Sequence, residues 1–321
     1  MKILVTGGMG FIGHNVVAQL EQLGHDVEII DAITTYGIIP ADEISFLIGE
    51  RRTKTSAKVH VCDITSIAVK TVFESFKPDI VIHLASFPRQ RVVNSNPVLG
   101  SKTMIEGLIN LCELSKTNNV KKFVYVSSSM VYGDFDNNIN EDAVCFPKGQ
   151  YGIMKLTGEW LVKDYAARGC FDYTIVRPSA VYGPRDVEDR VVSRFFLSAM
   201  RGETLKVNGE TETLDFTYVD DAADGIIKAS LNPTANQFTY NITRGRSRTL
   251  LEAAHLIVNI VGKGNIKTST KDSEYPSRGA LDIQRAQVYL GFDPKIDIEE
   301  GFKRYYDYLK NSPFWSTKTI Q

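Results

Sequence analysis

The sequence has no excess of either charge: 37 Lys and Arg stand against 38 Asp and Glu, a formal net charge of −1 over 321 residues. A general grip on nucleic acid or on an anionic membrane needs a net basic face, so neither is expected as a partner. Cysteine is scarce and scattered. Cys62, Cys112, Cys145 and Cys170 form no C-x-x-C pair and have no histidine cluster beside them, which argues against a disulfide framework and against a zinc site. No metal is expected. No apolar run reaches the roughly 18 residues of a membrane span, and Met1-Lys2 runs straight into a short apolar strand where a signal peptide would place its charged and apolar regions. Low-complexity tracts and internal repeats are missing too. These absences leave a soluble, cytoplasmic, globular protein as the expectation, long enough to bury a sizeable core without staples.

What is present is alternation. Ile3-Leu4-Val5, Val27-Glu28-Ile29-Ile30, Val59-His60-Val61, Ile80-Val81-Ile82 and Phe123-Val124-Tyr125-Val126 read as strands, and Tyr173-Thr174-Ile175-Val176 as a sixth. Their apolar runs are nearly continuous, the pattern of parallel strands covered on both faces by helices. Between them, residues 11–23, 68–76, 97–116 and 151–168 carry apolar residues at helical spacing. This is the βαβ repeat of an α/β fold with a doubly wound parallel sheet. Beyond Arg177-Pro178 the alternation breaks down into mixed α+β. The division expected is therefore 1–176 for the sheet and 177–321 for a smaller second domain, with segments of the latter returning to the former. The long link at 34–56 carries Glu50-Arg51-Arg52, which reads as a solvated helix before it reads as a binding patch. The tail from Ser312 to Gln321 is expected to fray unless Phe314 and Trp315 pin it.

Gly7, Gly10 and Gly13 follow the first strand and open the first helix. A tight turn needs the first of them, close approach of a diphosphate to the backbone the second, and helix-on-strand packing the third. The helix amides around Phe11 and Ile12 would then face the anion. Asp31 ends the second strand at the distance expected of a ribose-binding carboxylate. It would repel a 2′-phosphate, and Ala32-Ile33-Thr34 offers no arginine to attract one, so NAD is favoured over NADP. Asp63 and His83-Leu84-Ala85-Ser86 stand at carboxyl ends of later strands, where such a sheet binds its ligand. Asp63 suits the adenine amino group, and Leu84, Ala85 and Ser86 offer backbone along the cofactor. His83 reads as a buried, satisfied histidine rather than a catalytic one.

The fifth strand ends in Ser127-Ser128-Ser129-Met130-Val131-Tyr132-Gly133, and a helix begins near Tyr151-Gly152-Ile153-Met154-Lys155. Tyr151 and Lys155 lie one turn apart on one face. A free phenol, with a pKa of about 10, is too weakly acidic to serve as a base at neutral pH, and neighbouring positive charge would lower that value.

With these motifs, and with RPSAVYGP at 177–184, LDFTYVDD at 214–221 and RGALDIQRAQVYLGFDP at 278–294, the chain resembles the extended short-chain dehydrogenase/reductase family, in its sugar-nucleotide epimerase and dehydratase branch. The resemblance covers nearly the whole chain. It implies a Rossmann domain that binds NAD, with Ile64 and Pro178 among its contacts, and a substrate domain behind it. Tyr151 would be the acid/base, Lys155 its pKa-lowering partner and ribose ligand, and Ser128 the third member. The two residues after Ser128 sort the branch: related dehydratases, decarboxylases and 3,5-epimerases keep an acidic residue or a cysteine there. Ser129 and Met130 can move no proton at C3 or C5, which leaves redox at C4 and so a nucleotide-sugar 4-epimerase. A dehydrogenase or reductase of another hydroxyl or carbonyl substrate is the alternative, and a nucleotide-sensing binding protein a minor one. Ser129, Met130, Arg278 and Arg89 are the expected substrate contacts. Ala180 and Leu214 replace an asparagine and an arginine that usually reach the diphosphate, a loss that Arg89, Arg91, Arg190 or Arg194 could offset. The resemblance also implies a homodimer built on the helices near 98–116 and 151–168, where Met104, Ile105, Leu108, Ile109 and Leu111 read equally as interface or core.

Overall fold

Parallel β-branched strands occupy the centre of the computed structural model, which describes residues 1–34, 39–87, 90–271 and 275–319. The strands are β1 (Lys2–Thr6), β2 (Asp26–Asp31), β3 (Lys58–Val61), β4 (Ile80–His83), β5 (Lys122–Val126) and β6 (Asp172–Pro178). They lie in the order β3-β2-β1-β4-β5-β6, and a seventh strand, Phe238–Ile242, pairs beside β6. Every pairing in this sheet is parallel. The order reverses between β1 and β4, so the carboxyl ends of these two strands open a crevice.

The continuous apolar runs are explained by burial on both faces. One face packs Val16, Val17 and Leu20 of α1 (Gly13–Gln22) with Ala223, Ile226 and Ile227 of the helix Val219–Leu231. The other packs Val72 and Phe73, Leu108 and Leu111, and Val162 and Tyr165 from three further helices. A third core, around Phe196, Phe302, Tyr305 and Ile257, lies mainly in the C-terminal part, with Leu47 of the N-terminal half joining it. Trp315 joins it at 1% exposure, and Phe314 stacks on Phe46 at 4.5 Å. The aromatic pair therefore pins the tail through the short helix Pro313–Thr317.

Two readings from periodicity change in detail. The helix expected over 97–116 is broken by a π-helical turn at Lys102–Glu106 before it resumes as Gly107–Thr117. Ile64 presses against Gly107 there, where a Cβ would come within 2.5 Å of it. The charged link does contain a helix, α2 (Ala41–Arg52), but Arg51 on it is 4% exposed and far from solvated. Its long side chain carries the guanidinium inward to backbone carbonyls. No helix among the described residues is long and apolar enough to cross a membrane.

Candidate active site

The glycine-rich turn leaves β1 and enters α1 over the mouth of the crevice. Gly7 has φ +72°, and a Cβ on it would stand 2.6 Å from the amide nitrogen of Ala85. A Cβ on Gly13 would stand 2.1 Å from the Gly7 carbonyl oxygen. Neither position tolerates a side chain, and the turn therefore lies flat against the end of β4. No side chain caps the start of α1, which leaves its positive end open toward an anion, although the His14 and Asn15 amides already donate to the Gly10 and Ile12 carbonyls. Asp31 closes the other side. Its carboxylate accepts the Met9 amide at 2.9 Å and the Ile33 amide at 2.8 Å. Burial pushes the Asp31 carboxyl above its ordinary range, while those two bonds and the Arg51 charge oppose the rise. A close backbone approach, an uncapped helix start and an acidic strand end together fit a dinucleotide.

Further along the crevice, Asp63 accepts both the amide and the hydroxyl of Thr65, at 2.8 and 2.7 Å. Ile64 is buried, and its carbonyl accepts the Asn110 amide group at 2.6 Å. Leu84 donates its N–H to the Thr6 carbonyl at 3.0 Å, holding 84–86 along the cleft. Pro178 lies buried at the end of β6, in register with Ile242. His83 is indeed enclosed: Nδ1 lies 2.7 Å from the Thr6 hydroxyl, and the ring stacks on Tyr125. Burial, with the Lys155 charge adding to it, pushes His83 down to about 3. An unfolded histidine titrates near 6.5, so on acidification the unfolded chain takes up the proton first. His83 should thus cost stability as pH falls from about 6.5 toward 3, by about 1.4 kcal/mol per pH unit at most. Urea unfolding at pH 6 and pH 4.5 should show the deficit of His83→Asn relative to the parent shrinking on acidification; a deficit independent of pH would contradict a neutral His83.

The chemical groups meet where β5 ends. Ser128 caps the short 3-10 turn Ser129–Val131, its hydroxyl accepting the Met130 amide at 3.2 Å. The helix Gly149–Ala167 presents Tyr151 to this turn, with the Ser128 hydroxyl near enough to the phenol to lower its pKa. Burial pushes the phenol above its ordinary value; the Arg190 charge and the nearby Ser128 hydroxyl oppose the rise. Lys155 stands one turn on, 3% exposed, donating from Nζ to the Val126 carbonyl at 2.8 Å and lying over the Tyr125 ring. Burial brings its ammonium down to about 7, with Glu159 opposing.

Glu159 continues the same helix face and forms a buried ion pair with Arg177: its carboxylate accepts Nε at 2.9 Å and Nη2 at 2.6 Å, and also the Ser127 hydroxyl at 2.6 Å. The floor beneath Ser128 is thus held from the helix that carries Tyr151.

On the substrate side, Ser129 donates to the Ser179 hydroxyl at 3.0 Å, and Met130 meets Arg278, whose Nη1 lies 3.6 Å from Sδ. Arg278 Nε is buried without a partner in the described structure, and burial brings the guanidinium down to about 10 with Glu212 opposing. Arg278 is placed by strand-like pairing of 278 with Phe135 and of Leu281 with Ile139. Asp215 locks that segment, accepting the Leu281 amide at 3.0 Å, the Thr243 hydroxyl at 2.9 Å and the Gly245 amide at 3.1 Å. Sequence reasoning missed Asp215, although it stands beside Leu214 in a motif already singled out. It also ranked Arg190 behind Arg89 and Arg91. The structure puts the Arg190 charge within electrostatic reach of both Tyr151 and Arg278. Arg89 lies outside the described residues. Among the described residues no group of His, Cys, Asp and Glu could hold a metal ion.

Comparison with known proteins gives a consistent picture. The model of the NAD-dependent epimerase/dehydratase family matches residues 3–243. A UDP-glucuronate 4-epimerase of Thermodesulfobacterium geofontis is 31% identical over 96% of this chain and 96% of its own. Among solved structures, UDP-glucuronic acid 4-epimerase of Bacillus cereus, in complex with UDP-glucuronic acid and NAD, superposes with a TM-score of 0.89 at 28% identity, covering 97% of this chain and 99% of that one. UDP-glucose 4-epimerase of Thermotoga maritima, with UDP-glucose, superposes with a TM-score of 0.86 at 28% identity over 97% and 99% of the two chains.

Proposed function

The chain belongs to the NAD-dependent epimerase/dehydratase family, and from that membership we propose that it is a nucleotide-sugar 4-epimerase, with UDP as the nucleotide its relatives favour. The observation that carries the reading is the juxtaposition of Ser128, at the end of β5, with Tyr151 and Lys155 one turn apart on the facing helix, beside Ser129 and Met130, which bring no acid or base to C3 or C5. Ser128 positions the C4 hydroxyl, and Tyr151 takes its proton and later returns one to the same oxygen. NAD, when bound, supplies the hydride acceptor and donor at C4. Gly7, Gly10, Phe11, Ile12 and Gly13 hold its diphosphate, and Asp31 and Lys155 its two riboses. Asp63 and Ile64 line the adenine, and Leu84, Ala85, Ser86 and Pro178 the remaining wall. Residues 1–176 are the cofactor half and 177–321 mainly the substrate half. Arg278 meets the substrate diphosphate, and Ser129 and Met130 flank the sugar, with Arg89 as a further substrate contact to be tested by substitution. Incubating the purified chain with UDP-sugars and no added cofactor tests this reading. Interconversion of C4 epimers supports it, whereas NADH formation only on adding NAD⁺ would replace it with a one-way dehydrogenase.

The same reading extends to a homodimer. Met104, Leu108 and Leu111 are core, but Val98, Leu99 and Ile109 are exposed, as are Ile153 and Trp160 on the neighbouring helix. Apolar patches of this kind on adjacent helices suit an isologous contact. Sedimentation should show a species of twice 35.8 kDa that Trp160→Glu converts to the monomer; a parent that sediments as monomer at micromolar concentration would reject the dimer.

A further inference from the structure

The glycine-rich turn is gripped by a closed circuit of hydrogen bonds that does not reach the reacting groups. Met9, between Gly8 and Gly10, is held at both polar ends of its backbone. Its N–H donates to Asp31 Oδ2 at 2.9 Å, and its carbonyl accepts Arg51 Nη1 at 3.1 Å. The other arm of Arg51, Nη2, donates to the Arg185 carbonyl at 2.7 Å. Arg185 Nε donates to His14 Nε2 at 3.0 Å, and His14 Nδ1 lies 3.0 Å from the Gly10 carbonyl. With Nε2 accepting, the imidazole proton sits on Nδ1, so the ring donates to Gly10 and the circuit closes on the turn where it began. This requires a neutral imidazole. Burial pushes His14 down to about 3, with the Arg51 and Arg185 charges adding to the effect, so the ring is neutral at physiological pH.

The circuit joins distant parts of the chain. Arg51 comes from the last turn of α2, His14 from α1, and Arg185 from the loop after β6, 134 residues beyond Arg51 and 171 beyond His14. Its parts are expensive: His14 is fully buried, Arg51 nearly so, and Arg185 holds φ at +68° without being glycine. Asp186 and Asp31 partly balance the Arg51 charge. Such a structure constrains what the turn can do. A diphosphate lying on the turn leaves when the turn opens, and local opening is governed by the bonds that must break first. A turn stitched through Arg51 and Arg185 to the C-terminal part cannot open without disturbing both.

We propose that Arg51, Arg185 and His14 act as positioning residues that latch the glycine-rich turn to the C-terminal half, making NAD a resident rather than an exchanging group. The proposal rests on the epimerase reading, in which a cofactor lost midway would strand a keto sugar. It also explains a buried arginine in an otherwise charged link.

Exchange of bound NAD against nicotinamide-deuterated NAD⁺, followed by mass spectrometry of the holoenzyme, tests the latch. Arg51→Met removes both arms. It should speed exchange by about tenfold or more and make activity fall on dilution, with recovery on adding excess NAD⁺. Arg51→Lys, which keeps charge but loses the fork, should fall between. An Arg51→Met exchange rate equal to the parent's overturns the latch, as does a loss of activity that excess NAD⁺ leaves unrepaired. If the variants fail to fold, hydrogen exchange of the parent decides: the hydrogen-bonded amides of Met9, Gly10 and His14 should be protected to the level of β1, and exchange of these three far ahead of β1 overturns the latch. Should the parent consume NAD⁺ stoichiometrically, the epimerase reading falls, while the exchange ratio between variant and parent still judges the latch.

Discussion

Replacing Tyr151 with phenylalanine should lower kcat by about 10³-fold, within the 10²–10⁴ range of general acid–base groups. The substitution deletes one oxygen from a ring fixed in the first turn of the helix Gly149–Ala167, a small change for the fold. Proton transfer is another matter. Tyr151 is the group placed beside Ser128 to take the C4 proton; Lys155 is turned to the Val126 carbonyl. The effect should therefore fall on turnover, with KM for the UDP-sugar and the NAD content of the purified protein changed by about twofold or less. Steady-state kinetics with an epimer-specific coupling enzyme, alongside NAD released on denaturation, separates the cases. A variant with undiminished kcat would remove Tyr151 from the mechanism.

The largest stability effect should come from Glu159→Ala. The carboxylate is fully buried and the Arg177 side chain 4% exposed, with two charge-assisted bonds between them and a third from Ser127. Burial works against the Arg177 charge, but Glu159 more than compensates, and the guanidinium is held above its ordinary pKa. Removing the acid leaves an arginine enclosed over the Tyr132 ring, where the Glu141 carbonyl accepts from it at 3.3 Å but no carboxylate balances its charge at hydrogen-bond distance among the described residues. The expected loss is about 3–5 kcal/mol, read as a fall in the urea midpoint at unchanged slope. Removing both charges, in Glu159→Leu with Arg177→Met, should return much of that loss, since an apolar pair of similar volume avoids the unpaired charge. Equal destabilisation by the single and double variants would show that packing, and not charge, sets the cost. Both should also lower kcat, because Ser127 is the neighbour of Ser128 and loses its anchor.

The sheet was legible because its signal is local. Six strands and their flanking helices show as apolar runs of the right length, and Gly7, Gly13 and Asp31 stand at spacings that the turn geometry itself demands. Phe238–Ile242 escaped because it arrives after the regular alternation has ended and joins β6 only through the tertiary fold. The same limit explains the arginines. Arg51 sits among charged neighbours, and only the arrival of Arg185 from 134 residues away reveals that it points inward. Arg190 ranked in sequence behind the arginines that directly follow the fourth strand, and only the folded chain distinguishes it by its electrostatic reach to Tyr151. The π-helical turn at Lys102–Glu106 ends where Ile64 approaches Gly107, and such contacts between elements leave no trace in periodicity.

The central claim is internal redox at C4, and one labelled substrate tests it most directly. A UDP-hexose carrying deuterium at C4 is incubated with the purified chain in ordinary water without added cofactor, and the C4 epimer is isolated for mass spectrometry and proton NMR. Full retention of deuterium at C4, with none at C3 or C5, is the expected result. Loss of the label to solvent, or an oxidised sugar accumulating only when NAD⁺ is supplied, would contradict it.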